Sequence, residues 1–125
     1  MLILFTFLGC QNPNERLDCQ KIDFIGVYYL PFGISSPTGG LTQDSIKDLD
    51  KKEVDNEQKI QKICDRTSQI KELKDVDFMD TKVHLRADFV QDKKEVLTIL
   101  SDGNIFKIGR RIYELDTELL NLLIK

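Results

Sequence analysis

The residues of this 125-residue chain with the most distinctive chemistry are its three cysteines, Cys10, Cys19 and Cys64. An odd number of cysteines leaves one over in a secreted protein. Cys10 directly follows an apolar run, so its separate use would leave Cys19 and Cys64 to pair, which an oxidising compartment permits. The alternative is two unpaired cysteines, with Cys64 serving as a small apolar residue on a helix face.

His84 is the only histidine, and it lies on the polar face of a predicted strand beside Arg86 and Asp88. A lone histidine can act as a general base when a nucleophile is positioned near it. The sequence has no nucleophile motif such as G-x-S-x-G. A solvated strand residue is therefore the favoured interpretation, and the sequence predicts no catalytic residue.

Two acidic stretches, 48–55 and 75–80, resemble metal-binding loops only superficially. The first lacks the central glycine and the final glutamate of an EF-hand loop, and the second is typical of a hydrated connector. Histidine and cysteine spacings for zinc are missing as well. The sequence predicts no metal and no cofactor.

The predicted binding residues lie in a loop and at a hairpin tip. Residues 32–40 form a Gly/Pro/Ser/Thr-rich stretch long enough to be a functional loop, and Phe32 and Ile34 give it an apolar contact surface. Arg110 and Arg111 at the tip can grip a carboxylate or phosphate. These four residues are the predicted partner contacts, although such an arginine pair can also be a solvated turn that protects a sheet edge.

Composition and charge limit the classes of protein to which this chain can belong. The chain is 41% hydrophobic and 31% charged with a net charge of −3, which is typical of one foldable globular domain. Basic and acidic residues are intermixed along the chain, and no basic stripe is present to neutralise phosphates. A nucleic-acid partner is therefore disfavoured.

The elements that must position these residues begin with a strand over 22–30, apolar on both faces and therefore buried on two sides. A short helical turn capped by Thr42 is predicted within 41–46, and 48–56 is ambiguous between a strand and a loop. The clearest helix is predicted over 56–74, because apolar residues recur there at three- and four-residue steps.

The residue pattern in the second half of the chain predicts an antiparallel β-meander. Residues 83–89 alternate as a half-buried strand with one wet face, and strands follow over 95–100, 105–108 and 112–115. Asp116 then caps a short C-terminal helix. The predicted fold is α+β, a small and mainly antiparallel sheet of four to five strands with one long amphipathic helix and the short C-terminal helix on one side.

The N-terminus resembles a bacterial lipoprotein signal. Apolar residues run into Phe7-Leu8-Gly9-Cys10 and stop at polar residues, which is similar to a signal-peptide core followed by a lipobox. Phe7 and Leu8 depart from the usual lipobox residues, and an upstream start codon would supply the missing basic segment. The resemblance implies a signal peptide at 1–9, a lipidated Cys10 with a tether over 10–18, and a single domain at 19–125. The alternative is that 2–8 form a core strand or helix of a cytosolic protein.

A second resemblance covers most of the remaining chain. Tyr28-Tyr29-Leu30-Pro31, the spacing Leu41-Thr42-x-Asp44-x-Ile46, and the closing segment 109–115 running into Glu118 are similar to small bacterial domains of unknown function. This resemblance implies a fold and no activity.

These observations predict a non-enzymatic envelope protein anchored in the membrane through a lipid on Cys10, at the outer membrane or cell surface. Gln11 favours that location in Gram-negative hosts, since aspartate after the cysteine would favour retention in the inner membrane. Its domain would bind a protein or an envelope component, for example as an inhibitor or immunity-type protein. The alternatives are an accessory lipoprotein without a discrete ligand and a small hydrolase that uses His84.

Overall fold

An antiparallel sheet with helices α1 and α2 on one face dominates the computed structural model, which describes residues 18–31, 41–78 and 80–125. Within these residues the sheet has six strands in the order β2-β1-β3-β4-β5-β6, each antiparallel to its neighbour. The predicted α+β class with an antiparallel sheet is confirmed. The elements are β1 Phe24–Tyr29, β2 Lys51–Val54, α1 Glu57–Thr67, β3 Leu85–Gln91, β4 Lys94–Ser101, β5 Ile105–Ile108, β6 Arg111–Glu114 and α2 Thr117–Ile124.

The described sheet has one strand more than the upper limit of the predicted four to five. The additional strand is β2, which falls in the stretch that the sequence left ambiguous and pairs with β1 through Ile25 and Val54. Only Val54 of this strand is buried, so an alternating apolar pattern could not reveal it. Exposed lysines are a common feature of strands at a sheet edge, because they oppose pairing with other chains.

Helix α1 starts as predicted but ends at Thr67 instead of Lys74. The Asn56 side chain accepts a hydrogen bond from the Lys59 amide at 3.0 Å and caps its start. At its other end the Thr67 hydroxyl donates to the Cys64 carbonyl at 2.7 Å, and the chain then runs beside β6, where the Leu73 amide donates to the Ile112 carbonyl. Ile70 remains buried in the core beyond the helix, which is why the apolar repeat in the sequence continues past the helix end.

The main core lies between the sheet and the helices, on what we call the helix face. Alternate residues of the strands, such as Ile25, Leu85 and Phe89, are fully buried there. Helices α1 and α2 run antiparallel, because Arg66 near the end of α1 contacts Asp116 at the start of α2, and Lys59 near the start of α1 lines one cleft with Lys125 at the end of α2. Both helices contribute to one core cluster with the strands, so the expected placement on one side is what the structure has.

The opposite side of the sheet, the far face, is also covered, and here the prediction for β3 was wrong. Arg86 is only 7% exposed and Asp88 3% exposed, although both were expected on a wet face. The reason is that chain segments 41–49 and 78–83 pack across this face. They bury an apolar cluster of Tyr28, Ile46, Val83 and Leu100, with Leu41, Leu49 and Phe78 around it.

Replacing Asp116 tests how α2 is attached. Its side chain accepts a hydrogen bond from the Leu119 amide at 2.8 Å, which caps α2, and also contacts Arg66 at 2.7 Å. Asp116→Asn retains a capping oxygen, whereas Asp116→Ala does not. We expect the alanine variant to lose about 1 kcal/mol more free energy of unfolding than the asparagine variant in urea titrations. Equal losses would show that the cap contributes nothing.

The same site has a defined pH dependence. The hydrogen bond from Arg66 lowers the pKa of Asp116 below its ordinary value. The stability contributed by the ionised carboxylate is therefore present above the ordinary aspartate pKa, about 3.9, and is lost as the pH falls through the lower folded-state value. The stability difference between wild type and Asp116→Asn should shrink between about pH 5 and about pH 2. A pH-independent difference would contradict this assignment.

Candidate functional site

The predicted cysteine pair is joined in the structure. Cys19 and Cys64 form a disulfide with their Cα atoms 6.2 Å apart, which decides between the two alternatives that the sequence left open. The bond fastens the 3-10 turn Cys19–Lys21 to helix α1 across a sequence separation of 45 residues. A covalent link of that loop length stabilises a fold by about 4 kcal/mol in the chain-entropy model. Cys10, the predicted lipidation residue, lies outside the described residues.

His84 lies at the point where β1 ends. Its ring Nδ1–H donates to the Leu30 carbonyl at 3.1 Å, while its own carbonyl accepts from the Leu30 amide at 2.7 Å. A carbonyl can only accept, so the proton of this hydrogen bond belongs to Nδ1. The structure therefore gives His84 a role in holding the chain as it leaves the sheet, and its expected neighbours Arg86 and Asp88 bond to each other.

Loop 32–40 itself lies outside the described residues, with its predicted contacts Phe32 and Ile34, but both of its ends are described. Leu30, before the loop, is bonded to His84, and the Leu41 carbonyl, after the loop, accepts from the Val83 amide at 2.8 Å. The two ends are therefore attached to consecutive residues, 83 and 84, of one segment. A loop with fixed, adjacent ends is a common way to present binding residues from a rigid scaffold.

The buried centre of the far face is an ion pair that sequence reasoning missed. The Arg86 Nε–H group lies 3.0 Å from both carboxylate oxygens of Asp88. Asp88 also accepts from the Thr98 hydroxyl at 2.8 Å, which orients the carboxylate. Arg and Asp at positions i and i+2 of a strand share one face, so the spacing was a readable signal for such a pair.

The guanidinium of Arg86 also reaches the segment that follows the loop. Its Nη1 donates to the Gln43 carbonyl at 2.8 Å and lies 3.8 Å from the Asp44 carboxylate. Its Nη2 donates to Glu95 at 3.3 Å. We call Arg86, Asp88, Thr98 and Glu95 the Arg86 network. It connects strands β3 and β4 to a segment that has no strand pairing of its own.

That segment, 41–49, carries the short 3-10 turn Ser45–Asp48. The turn starts later than the predicted 41–46, and its N-cap residue is Asp44, whose side chain makes no capping bond. The Thr42 side chain nevertheless accepts from the Ser45 amide at 3.1 Å. Ile46 is fully buried against the far face. Lys47 adds an exposed ion pair with Glu95 at 3.5 Å. The buried Ile46, the partly buried Leu41 and Leu49, and the Arg86 network thus hold this segment on the sheet.

The predicted arginine pair, Arg110 and Arg111, lies at the turn between β5 and β6 and not beside segment 41–49. Arg110 is exposed in the turn after Gly109, whereas Arg111 is the first residue of β6 and pairs with Glu72 at 3.3 Å. β5 starts beside Ser101, near the loop ends, and runs away from them. The hairpin turn therefore points away from the end of the sheet at which Leu30 and Leu41, the flanking residues of loop 32–40, are attached.

Two clefts border helix α1. One of about 460 Å³ is lined by the disulfide-linked turn and the first two turns of the helix, including Gln20, Glu57 and Gln58. The other, about 560 Å³, lies between the helices beside Lys59 and Lys125. Burial, and then the charge of Lys52, lowers the pKa of Lys59. Among the described residues that line these two clefts, neither Arg110 nor Arg111 is found.

Across the ranges 18–31, 41–78 and 80–125, no group of three or more His, Cys, Asp or Glu side chains is arranged to hold a metal ion. No helix in that part of the chain is both long enough and apolar enough to cross a membrane.

The chain was compared with protein-family models, curated proteins and solved structures. No protein-family model, no curated protein and no solved structure matches the chain. Its function is therefore inferred from its own residues.

The Arg86–Asp88 pair predicts a specific pattern of stability. Arg86→Met leaves Asp88 buried without its counter-charge, so we expect it to lower the free energy of unfolding by about 3–5 kcal/mol. Arg86→Met/Asp88→Leu should lose less, because no unpaired charge remains buried. Lys47→Ala, which removes an exposed pair with Glu95, is the control and should cost at most about 1 kcal/mol. Equal losses in the single and double variants, measured in urea, would contradict the pairing argument.

Proposed function

We propose that this chain is a non-enzymatic, lipid-anchored protein of the bacterial cell envelope, whose domain binds a protein or envelope partner. The Cys19–Cys64 disulfide carries the proposal. Structural disulfides persist in oxidising compartments and are rare in the cytosol. The lipobox-like Gly9-Cys10 sequence supports lipidation of Cys10. An outer-membrane or surface location agrees with Gln11 after the cysteine.

The distance from the proposed anchor to the domain is short. Eight residues lie between Cys10 and Cys19, and the nine residue-to-residue steps of a fully extended chain span at most about 30 Å. Cys19 is bonded directly to helix α1, so a pull on the tether is transmitted to the core of the domain and not to a loose terminus. This arrangement suits a domain that is held close to a membrane surface.

Loop 32–40 is the proposed partner-binding region, with Phe32 and Ile34 as its apolar contacts. The support comes from its two ends, which are bonded to consecutive residues at one end of the sheet. The tether enters at the other end, where the Asp23 amide donates to the Val90 carbonyl. β1 crosses the sheet between these ends, about 20 Å for its six residues. The end of the sheet at which the loop is attached would thus face away from the membrane and towards a partner such as an enzyme to be inhibited.

Arg110 is proposed as a second and separate contact. Its turn points towards the tethered end of the sheet, so it would meet envelope components near the membrane and not the partner of the loop. Arg111 is the weaker candidate of the pair, since its guanidinium is engaged by Glu72.

Intact mass of the protein extracted from native membranes tests the anchor. We expect loss of residues 1–9, the added mass of two or three acyl chains on Cys10, and an increase of about 2 Da on reduction of the disulfide. Cys10→Ser should abolish the acyl mass and leave the reduction shift unchanged. An unprocessed chain with three free thiols in the soluble fraction would overturn the proposal.

Site-specific photo-crosslinking in native envelopes tests the partner. A photoreactive residue at Phe32 or at Ile34 should give one shared adduct, because both side chains are proposed to touch the same partner. The matched control is Lys62, an exposed residue of helix α1 on the helix face, which should not give it. Absence of a specific adduct from Phe32, Ile34 and Arg110 would remove the support for a binding role.

A further inference from the structure

We infer that the cleft between helices α1 and α2 is a binding site for a small organic anion with an apolar body, such as a medium-chain monocarboxylate, and that Lys59 binds its charged group. All the residues that carry this inference belong to the described part of the chain. The site is separate from the proposed partner-binding region and from the lipid anchor, so the inference goes beyond the proposed function and does not depend on it.

One side of α2 forms a wall of the cleft. Glu118, Asn121, Leu122 and Lys125 recur at spacings of three and four residues, which places them on the same side of that helix. Lys59 of α1 lines the same space, which measures about 560 Å³. Small-molecule sites in proteins occupy about 300–1,000 Å³, so the cleft has room for a ligand of this class.

Lys59 is a partly buried cation that has no ion pair within the described chain. Three other basic residues there are at least partly buried, and each has a carboxylate or an aromatic ring as its partner: Arg66 with Asp116, Arg86 with Asp88, and Lys107 with Phe78. The Glu118 carboxylate lines the cleft with Lys59 but lies 3.9 Å from Arg66. Because a buried charge is unfavourable without a partner, an anion brought by a ligand would complete the missing pair.

The electrostatics of Lys59 support an anionic ligand. Burial, and then repulsion by the charge of Lys52, lower the pKa of Lys59. Both effects act against its ammonium form. A carboxylate in the cleft would offset both of them, because an opposite charge within about 4–6 Å favours the charged form of a lysine.

The two ends of the cleft differ in charge, which gives the ligand a direction. Since the helices run antiparallel, the start of α2 lies beside Arg66, where Asp116 and Glu118 neutralise the guanidinium. The other end carries the ammonium groups of Lys59 and Lys125. The anionic group of a ligand is therefore expected at that end, with its apolar body extending towards the start of α2.

Leu122 supplies an apolar surface for that body. Its side chain is partly buried against the main core and also lines the cleft. The methylene stem of Lys59 offers a second apolar surface, since long basic side chains bury their stems and leave the charged group accessible. Inorganic phosphate has no part that would use these surfaces. An anion with a hydrocarbon body uses both the charge and the apolar wall, which is why this class of ligand fits the cleft best.

Titration with octanoate, followed by NMR, tests the site. The full-length Cys10→Ser protein is used, because it cannot be lipidated at that residue and needs no detergent that would enter the cleft. We expect saturable shifts of the Lys59 and Lys125 side-chain methylene signals and of the Leu122 methyl signals, and a rise in the pKa of Lys59 in the bound form. The signals of Lys62, an exposed residue of the same helix, should not shift.

Matched variants separate the charge of Lys59 from general contact. Lys59→Gln removes the charge and keeps a polar side chain, so it should weaken octanoate binding by about tenfold or more. Lys62→Gln, the same change at an exposed position of α1, should weaken binding by less than about twofold. Equal affinity of the two variants would overturn the assignment of Lys59.

Two further ligands test the wild-type cleft whether or not Lys59→Gln folds. Butanoate should bind more weakly than octanoate, by up to about fourfold for each methylene removed. Octyl glucoside, which has the same tail without the charge, should bind about tenfold more weakly or worse.

Three results with these ligands would overturn the inference. Equal binding of octyl glucoside would mean an apolar surface without an anion site, and equal binding of butanoate would mean attraction of charge alone. Absence of a saturable octanoate shift would remove the site altogether. None of these results bears on the acyl mass at Cys10 or on the crosslinks from Phe32 and Ile34, so failure here is distinguishable from failure of the proposed function.

Discussion

A sheet with apolar residues on both sides must be covered on both sides, and among the described residues the two α-helices cover one of them. The far face of β1 and β3 carries Tyr28 beside an ionic pair, and the chain covers it with irregular segments. Such segments cannot satisfy their backbone groups internally. The Arg86 network answers that constraint, because a side chain from the sheet supplies the donor that the Gln43 carbonyl lacks within its own segment.

Burying a guanidinium and a carboxylate together carries a desolvation cost that their attraction does not always offset. Here the cost is limited by the number of bonds formed, since the Asp88 carboxylate accepts from two side chains and the guanidinium donates to three groups. An apolar pair at the same positions could be equally stable, yet it would not bond to a carbonyl. Directional attachment of one segment is therefore the physical reason to retain charge at this place.

The sequence predicted the elements with strong local patterns. The centre of β1, the start of α1 at its Asn56 cap, the hairpin strands and the Asp116 cap all lie where periodicity and capping residues indicated. Three features were not predicted. β2 has only one buried side chain. The apolar repeat of α1 continues past the helix end, because Ile70 still packs in the core. The polar residues of β3 are covered by segments distant in sequence.

In the candidate site, too, local sequence patterns were predictive, whereas features that depend on tertiary contacts were not predicted. The cysteine pair could be proposed from parity and spacing but not decided, since sequence does not give Cα distances. Arg86 was interpreted as solvated because alternation reports which residues share a face and not what covers that face. The Arg-x-Asp spacing, read together with apolar Leu41, Ile46 and Leu49 that require a surface to pack against, would have indicated a covered face.

Strand β1 connects the disulfide-linked turn at one end of the sheet to the base of loop 32–40 at the other end. At its start, the chain has just left the disulfide-linked turn at Cys19–Lys21, and at its end Leu30 is bonded to His84 at the base of the loop. The turn is fixed covalently to the helix face, and the segment after the loop is fixed by Arg86 on the far face. If the chain is anchored at Cys10 as proposed, a force applied at Cys19 would act first on the disulfide-bonded core. The proposed binding region is attached at the other end of β1, so its geometry would not depend on movement of the anchor.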